Sequence, residues 1–381
     1  MRIDSQRVSI GASAKFSAAE LGVTLGGQKV ISLDQPRSKL PDEPQILNAL
    51  VLPGRGMNVY QLNAYLPGKG VVGLLASPPL AIAQEKMNGG PEDLNGKYSF
   101  LVGGAILLPW ANVIRGRHLA SENAVEARIL GKSVLLPANS RGAQPGAEWH
   151  SVHGLLLNRR MDSVSFETGT DHASVIGTHN AGTFGGRWLS NAHLSITATL
   201  QRDHFGLTVI ARNVGSEVMP MGIGWHPYFV LPSSRRQQAR LCLPARRRAL
   251  VNNYDEVFPT GELVDVAESP YDFSPPSGGT LNQTYLDDCF IDLIRGEDHV
   301  VTAQLIDPAA NYRLCVTVAS PEVRAIQVFS PSDKSFVALE PQFNLSDPFS
   351  GIWDQIDAGM VILRPDESVS YSVRVSTQRW Q

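Results

Sequence analysis

The chain has 381 residues, 43% apolar and 18% charged, with a formal net charge of −3. That composition is globular rather than disordered, and the charge balance supplies no overall attraction to nucleic acid or an anionic membrane. Cys242, Cys289 and Cys315 are scattered and form no CxxC pair, so neither a disulfide framework nor a thiolate zinc site is expected, and a reducing compartment suits the chain.

The N-terminal stretch MRIDSQRVSIGASAKF carries no apolar run of signal-peptide length. The uncharged residues 98–114 are interrupted by Gly103, Gly104 and Pro109 and are too short for a spanning helix. A soluble, cytoplasmic protein is expected, with a periplasmic or secreted origin left open. Residues 1–40 read as an extension packed on a single main domain, 41–381. Short helices are expected at SAAELG (17–22) and ENAVEARILGK (122–132). Elsewhere the period is two. HLSITATLQ places Leu194, Ile196, Ala198 and Leu200 on one face, and SVSYSVRVS places Val369, Tyr371, Val373 and Val375 on another. Such alternation marks half-buried antiparallel strands. GLTVIARN, YRLCVTVAS, RAIQVFSP and FVALEP add further short strands between turn residues. The fold class expected is all-β, a large antiparallel sandwich or barrel with few short helices.

Several stretches could carry chemistry. His150 and His153 stand three apart, a spacing found in some metal sites, but no third ligand lies near them in sequence, and in an extended segment they would face opposite ways. GIGWHPYF sets His226 among aromatics and before Pro227. YLDDCF carries Asp287 and Asp288, whose side chains oppose one another in a strand. FVALEPQF sets Glu340 before Pro341 in apolar surroundings that are costly for an unpaired charge. A residue before proline is pushed into extended backbone, and proline cannot donate to a central ladder. His226 and Glu340 are therefore expected at strand ends on a sheet rim. Residues 233–248, SSRRQQARLCLPARRR, hold six arginines, which would serve either as a solvated edge or as an anion patch. There is no phosphate-cradling GxxxxGK[ST] loop, no strand–GxGxxG–helix unit and no GxSxG elbow.

Taken together, VLPGRGMNVYQL, GGAILLPWANVIRG, HGLLLNR, GIGWHPYF, LDDCF and FVALEPQFNLSDPF resemble the aldose 1-epimerase (mutarotase) family, in order and separation, over about 300 residues. The resemblance implies a galactose mutarotase-like supersandwich with a sugar-binding cleft. It implies interconversion of the α and β anomers of free aldohexoses without metal or organic cofactor. On it, Glu340 is the general base and His226 the general acid, while His153, Asp287 and Asn112 hold sugar hydroxyls. The partner implied is a small sugar, with no nucleic acid or membrane, and the chain would act as a monomer or homodimer. One departure stands out: Val113 occupies a position where the family usually has arginine. Arg115, two residues along, is the available substitute. Trp225, Tyr228 and Trp110 are candidates for stacking on a sugar face.

The chemistry suits these residues. Anomer exchange removes a proton from the C1 hydroxyl and delivers one to the ring oxygen, then reverses both after rotation about C1–C2. A carboxylate and an imidazole can do this, each positioned transfer contributing about 10² to 10⁴ in rate. Three alternatives stay open: a hexose-6-phosphate mutarotase using the arginine segment, a glycoside hydrolase using Glu340 and Asp287, and a non-catalytic sugar-binding module.

Overall fold

The computed structural model describes residues 15–37, 40–354 and 356–380. Alternation decides the architecture. Ala192–Gln201 buries every second residue along its whole length, and Phe205–Asn213 and Ser368–Gln378 follow the same period. These strands lie together in a nine-stranded antiparallel sheet, with Tyr312–Val318 and Val301–Asp307 beyond them. A twelve-stranded sheet packs against it. Its middle runs in the order Asn58–Leu66, Gly104–Leu107, Gly224–Val230, Phe336–Gln342, Ala325–Ser330, Leu286–Leu293, Ala245–Val251. Between the sheets, Phe205 meets Trp225 at 6.4 Å and Phe343 meets Tyr371 at 5.7 Å between ring centroids. The protein is thus an all-β sandwich of two large antiparallel sheets, as its period-two sequence predicts.

The central strands of the larger sheet are not half-buried. Gly224–Val230 and Phe336–Gln342 are buried on nearly every residue. One face packs on the sandwich core. The other is covered by connections, among them residues 109–114, 150–157 and 343–353. Those two strands hold His226 and Glu340.

Several sequence expectations change here. Residues 124–129 form a strand, Ala124–Ile129, paired with Lys132–Pro137 rather than a helix. Val125, Ala127 and Ile129 alternate with Glu126 and Arg128, and Leu130 and Gly131 both take positive φ, the geometry of a tight hairpin turn. SAAELG likewise begins the strand Ser17–Leu25. That strand and Gln28–Asp34 join the edge of the twelve-stranded sheet, so this part of the expected extension is built into it. Residues 1–14, 38 and 39 of the extension lie outside the described residues. Among the described residues the one α-helix, Leu80–Lys86, follows Pro78 and Pro79.

His226 and Glu340 also sit differently from expectation: inside strands rather than at their ends. Gly224 pairs with Gln342 and Tyr228 with Ala338, but the ladder is interrupted between these pairs. On that register Pro227 stands opposite Leu339 and Pro341 opposite Trp225. Both prolines remove a donor from the same stretch, so the strands continue side by side without closing every bond. The Pro341 carbonyl accepts a hydrogen bond at 2.9 Å from the Tyr371 hydroxyl of the other sheet.

Tyr371→Phe deletes this bond and strands a buried carbonyl beside Glu340. We expect it to lower unfolding free energy by about 1–2 kcal/mol in urea titration. An unchanged midpoint would show that the cross-sheet bond carries no stability.

Candidate active site

The site is a row across the middle of the twelve-stranded sheet. Ala105 pairs with His226; His226 stands opposite Glu340 on the register above; Glu340 pairs with Gln327, Gln327 with Cys289 and Cys289 with Ala249. Cross-strand partners share a face, so six neighbouring strands aim these side chains at one place. His226 Nε2 lies 3.2 Å from Glu340 Oε1, and both side chains are almost wholly buried. Asp287, diagonal to Gln327, accepts a 2.7 Å hydrogen bond from its amide, and Gln327 Oε1 accepts one at 3.3 Å from Asn112.

His153 arrives from above the sheet. Its ring meets that of His226 edge-on at 5.0 Å and that of Phe100 at 4.8 Å. The following Gly154 takes φ of +80°, and a Cβ there would lie 2.0 Å from the Leu108 carbonyl oxygen. Only glycine lets the chain pass so close, which explains the HG pair. His153 itself takes φ of +64°. That departure from extended backbone turns it and His150 toward the same cavity, against the sequence expectation that they would diverge.

The connection 111–115 is held by residues that follow Glu340. Asn344 accepts from the Ala111 amide at 3.0 Å and donates to its carbonyl at 2.9 Å. Asp347 donates its amide to the Val113 carbonyl and accepts from the Arg115 amide. The dense FVALEPQFNLSDPF stretch therefore supplies Glu340 and then the clamp for the wall above it.

A cavity of about 180 Å³ lies over the row. Asn112, His153, Asp287 and Gln327 line its polar side, and Val113, Ala249, Val251, Val257, Cys289 and Trp353 an apolar side. Asp255 and Glu256 stand at its edge, where their carboxylates accept backbone amides from Ala143, Gln144 and Glu148. The His226–Glu340 pair lies directly behind His153 and Gln327. Glu340 Oε2, His226 Nδ1 and His153 Nδ1 are buried without a hydrogen-bond partner.

Burial sets the electrostatics. It holds the His226 imidazole down to about 3 and pushes the Glu340 carboxyl well above its usual range, helped by the neighbouring Asp287 charge. Desolvation likewise lifts Asp287 to about 7, partly countered by the Gln327 hydrogen bond. His153 is driven down by burial, then by His226 and His150. Between the two limits the His226–Glu340 pair holds one titrating proton, whichever atom carries it.

Of the six residues singled out from sequence, five meet here: Glu340, His226, His153, Asp287 and Asn112. Arg115 does not. Its guanidinium turns outward to Glu148 at 3.0 Å and over the Phe258 ring at 4.4 Å. Among the described residues no arginine takes the place of one at Val113, which forms a buried apolar part of the wall. Trp110 and Trp225 are core residues, Trp110 stacked on Trp188 and Trp225 donating to the Gly104 carbonyl; Tyr228 alone of the three aromatic candidates adjoins His226, at 4.6 Å. Gln327 was missed. Its signal was position: in RAIQVFSP it is a polar residue among apolar ones on a buried strand. Four of the six arginines in 233–248 are engaged by the fold. Arg236 donates to the Ser330 hydroxyl, Arg240 to the Ser277 and Gly278 carbonyls, and Arg247 and Arg248 pair with Asp292 and Asp288; among the described residues no arginine lines the cavity.

The fold recurs among solved structures. A galactose mutarotase-like protein from Clostridium acetobutylicum matches 97% of this chain and all of its own length at TM-score 0.71 and 18% identity. Galactose 1-epimerase from Lactobacillus acidophilus matches the same shares at TM-score 0.64 and 16% identity. In sequence, an uncharacterised Escherichia coli protein, YphB, is 30% identical over 115 residues, which span 30% of this chain and 37% of that protein. Residues 93–376 match the family model for aldose 1-epimerase. The chain belongs to the aldose 1-epimerase family.

The raised Glu340 carboxyl has a consequence for stability. In the unfolded chain this group is ionised at neutral pH; in the fold its charged form is disfavoured. Its contribution is therefore full below the unfolded value and lost as pH rises. Glu340→Gln removes that penalty at similar volume. We expect its melting temperature to exceed the wild type by roughly 2 °C or more at pH 8, with a smaller difference at pH 5, by differential scanning fluorimetry. A variant less stable at both values would contradict this.

Proposed function

We propose that the protein is a mutarotase that interconverts the anomers of free aldohexoses, with His226 and Glu340 as its acid and base. The observation that carries this reading is the 3.2 Å His–Glu pair buried behind a small polar cavity. Glu340 takes the C1 hydroxyl proton while His226 protonates the ring oxygen. The C1–O5 bond opens to the aldehyde, C1–C2 rotates, and the reverse transfers close the other anomer. One proton leaves the sugar and one enters it, so a pair holding a single proton needs no net exchange with solvent.

The ionised arrangement this requires, carboxylate beside imidazolium, has the same proton count as the neutral arrangement that burial favours. Only the position of the proton between Nε2 and Oε1 differs. The incoming sugar hydroxyls are hydrogen-bond donors to Glu340 Oε2, which has no protein partner, and so favour the carboxylate form. Asp287, Gln327, Asn112 and His153 orient the ring. The cavity size suits a monosaccharide, being below the roughly 300–1,000 Å³ of sites for drug-sized ligands. Carboxylates and no cation at its wall favour an uncharged sugar over a phosphorylated one.

Polarimetry on freshly dissolved α-glucose and α-galactose tests the assignment. Both should reach equilibrium faster with wild type, and Glu340→Gln and His226→Asn should each lose at least about 10²-fold in kcat/KM. Wild-type rates in both variants would refute it, and a clear preference for glucose 6-phosphate would point to the phosphosugar alternative.

Asp287 gives a pH signature. With its carboxyl pushed up to about 7, the hydroxyl-accepting carboxylate is lost as pH falls from 8 to 6. KM should rise severalfold across that interval in wild type. In Asp287→Asn, KM should be higher throughout and flat. A wild-type KM independent of pH would remove Asp287 from substrate binding.

A further inference from the structure

Beside the His226–Glu340 row lies a second row on the same face of the sheet: Tyr228 opposite Ala338, Ala338 opposite Phe329, Phe329 opposite Asp287. Phe336, two residues before Ala338, fills the gap that alanine leaves. Its ring centroid lies 5.2 Å from Tyr228 and 6.0 Å from Phe329, and Tyr228 and Phe329 are 6.3 Å apart. Tyr285 extends the group, 6.4 Å from Phe329. Tyr228 is buried, whereas Phe329, Phe336 and Tyr285 are only half-buried. An aromatic surface thus starts against the His226 ring at 4.6 Å and runs outward along the strand ends. None of these rings is used by the reaction described above, and half-exposed aromatic rings in a cluster on a sheet face call for a reason.

We propose that this surface is a subsite for a second sugar ring, and that the preferred substrate is the reducing end of a 1→6-linked disaccharide or longer saccharide. The proposal rests on the mutarotase reading, which sets the orientation. With the ring oxygen at His226, C5 and its C6 arm lie on the His226 side of the bound ring. In the other direction along the strand the way is closed: Gly224 is buried, and a Cβ there would already meet Gln342 and Ala111 at 3.1 and 3.2 Å. A substituent on C6 therefore leaves over Tyr228 toward Phe336, Phe329 and Tyr285. Sugar rings present C–H faces that pack on aromatic rings and hydroxyl edges that hydrogen-bond. Asp287 and the Tyr285 hydroxyl, two residues apart beside Phe329, provide partners for those edges.

Anomer exchange measured by NMR on isomaltose and melibiose (1→6), maltose and lactose (1→4) and glucose tests the subsite. Wild type should give a higher kcat/KM on the 1→6 pair than on the 1→4 pair. The ratio of isomaltose to glucose should fall about fivefold to tenfold in Phe336→Leu and in Phe329→Leu, which keep apolar volume and lose the planar face. Preference for the 1→4 pair, exclusion of all four disaccharides, or an unmoved ratio in both variants would overturn the subsite while leaving the mutarotase reading intact. If wild type exchanges no sugar at all, the mutarotase reading fails and binding decides. Saturation transfer to isomaltose that disappears in Phe336→Leu supports the platform, and no transfer ends it.

Discussion

The contact between His226 Nε2 and Glu340 Oε1 is the constraint on which the rest of the molecule turns. Two titratable side chains stand opposite one another on adjacent strands at the centre of a twelve-stranded sheet, each followed by proline. Proline fixes φ near −65° and removes an amide donor. Placed on both strands at nearly the same level, the two prolines open the ladder locally and restrict the backbone on either side. A pair held this way has little freedom to drift. The carbonyl of Pro341, next to Glu340, accepts a hydrogen bond from the Tyr371 hydroxyl. The second sheet thereby supports the position of Glu340 from behind.

Burying such a pair is unfavourable for both charged forms, and the surroundings show how this is managed. Gln327 sits between Glu340 and Asp287, using its amide as donor to one carboxylate and its carbonyl as acceptor from Asn112. A neutral amide between two acids tolerates either acid's protonation state. Farther out, Asn344 and Asp347 tie the covering connection to the strand that carries Glu340, so the floor of the cavity and the clamp on its wall are one covalent run. Three buried polar atoms without partners, on His153, His226 and Glu340, stand together, where a polyhydroxylated ring could satisfy them. Site and strain coincide, as expected where function competes with stability.

Much of this was legible in the sequence, for identifiable reasons. Period-two alternation in residues 192–201 and 368–378 is unambiguous because one face of those strands meets the core and the other meets water. Residues 124–129 alternate too, but alanine, glutamate and arginine mask the pattern with helix-favouring composition, and tertiary pairing overrode propensity. The strands bearing His226 and Glu340 are buried on both faces, so alternation is silent there; proline then reads as an end when it is an interruption. The His–Glu partnership could be guessed only from a shared local device. Which residues accompany the pair depends on register between strands far apart in sequence. That is why Gln327 passed unnoticed and why Arg115, plausible on spacing alone, turns away to Glu148.

The character of the cavity wall bears on the proposed substrate independently of the His226–Glu340 pair. Arginines are concentrated in residues 233–248, yet the buried ones are consumed by carbonyls and aspartates of the fold. Arg248, for instance, is neutralised by Asp288, whose side chain faces away from its neighbour Asp287. The arginine is thus engaged on the other face of the sheet, and an anion in this cavity would face Asp255, Glu256 and Asp287 with no lysine or arginine among the described residues that line it. Val113 completes the effect by presenting two methyl groups rather than a donor. On the proposed reading, a sugar bound here would be held by neutral and acidic hydrogen-bonding groups on one side and apolar packing on the other. Its recognition would then rest on the pattern of hydroxyls over Asp287, Gln327 and Asn112, and on whatever the ring presents to the apolar wall.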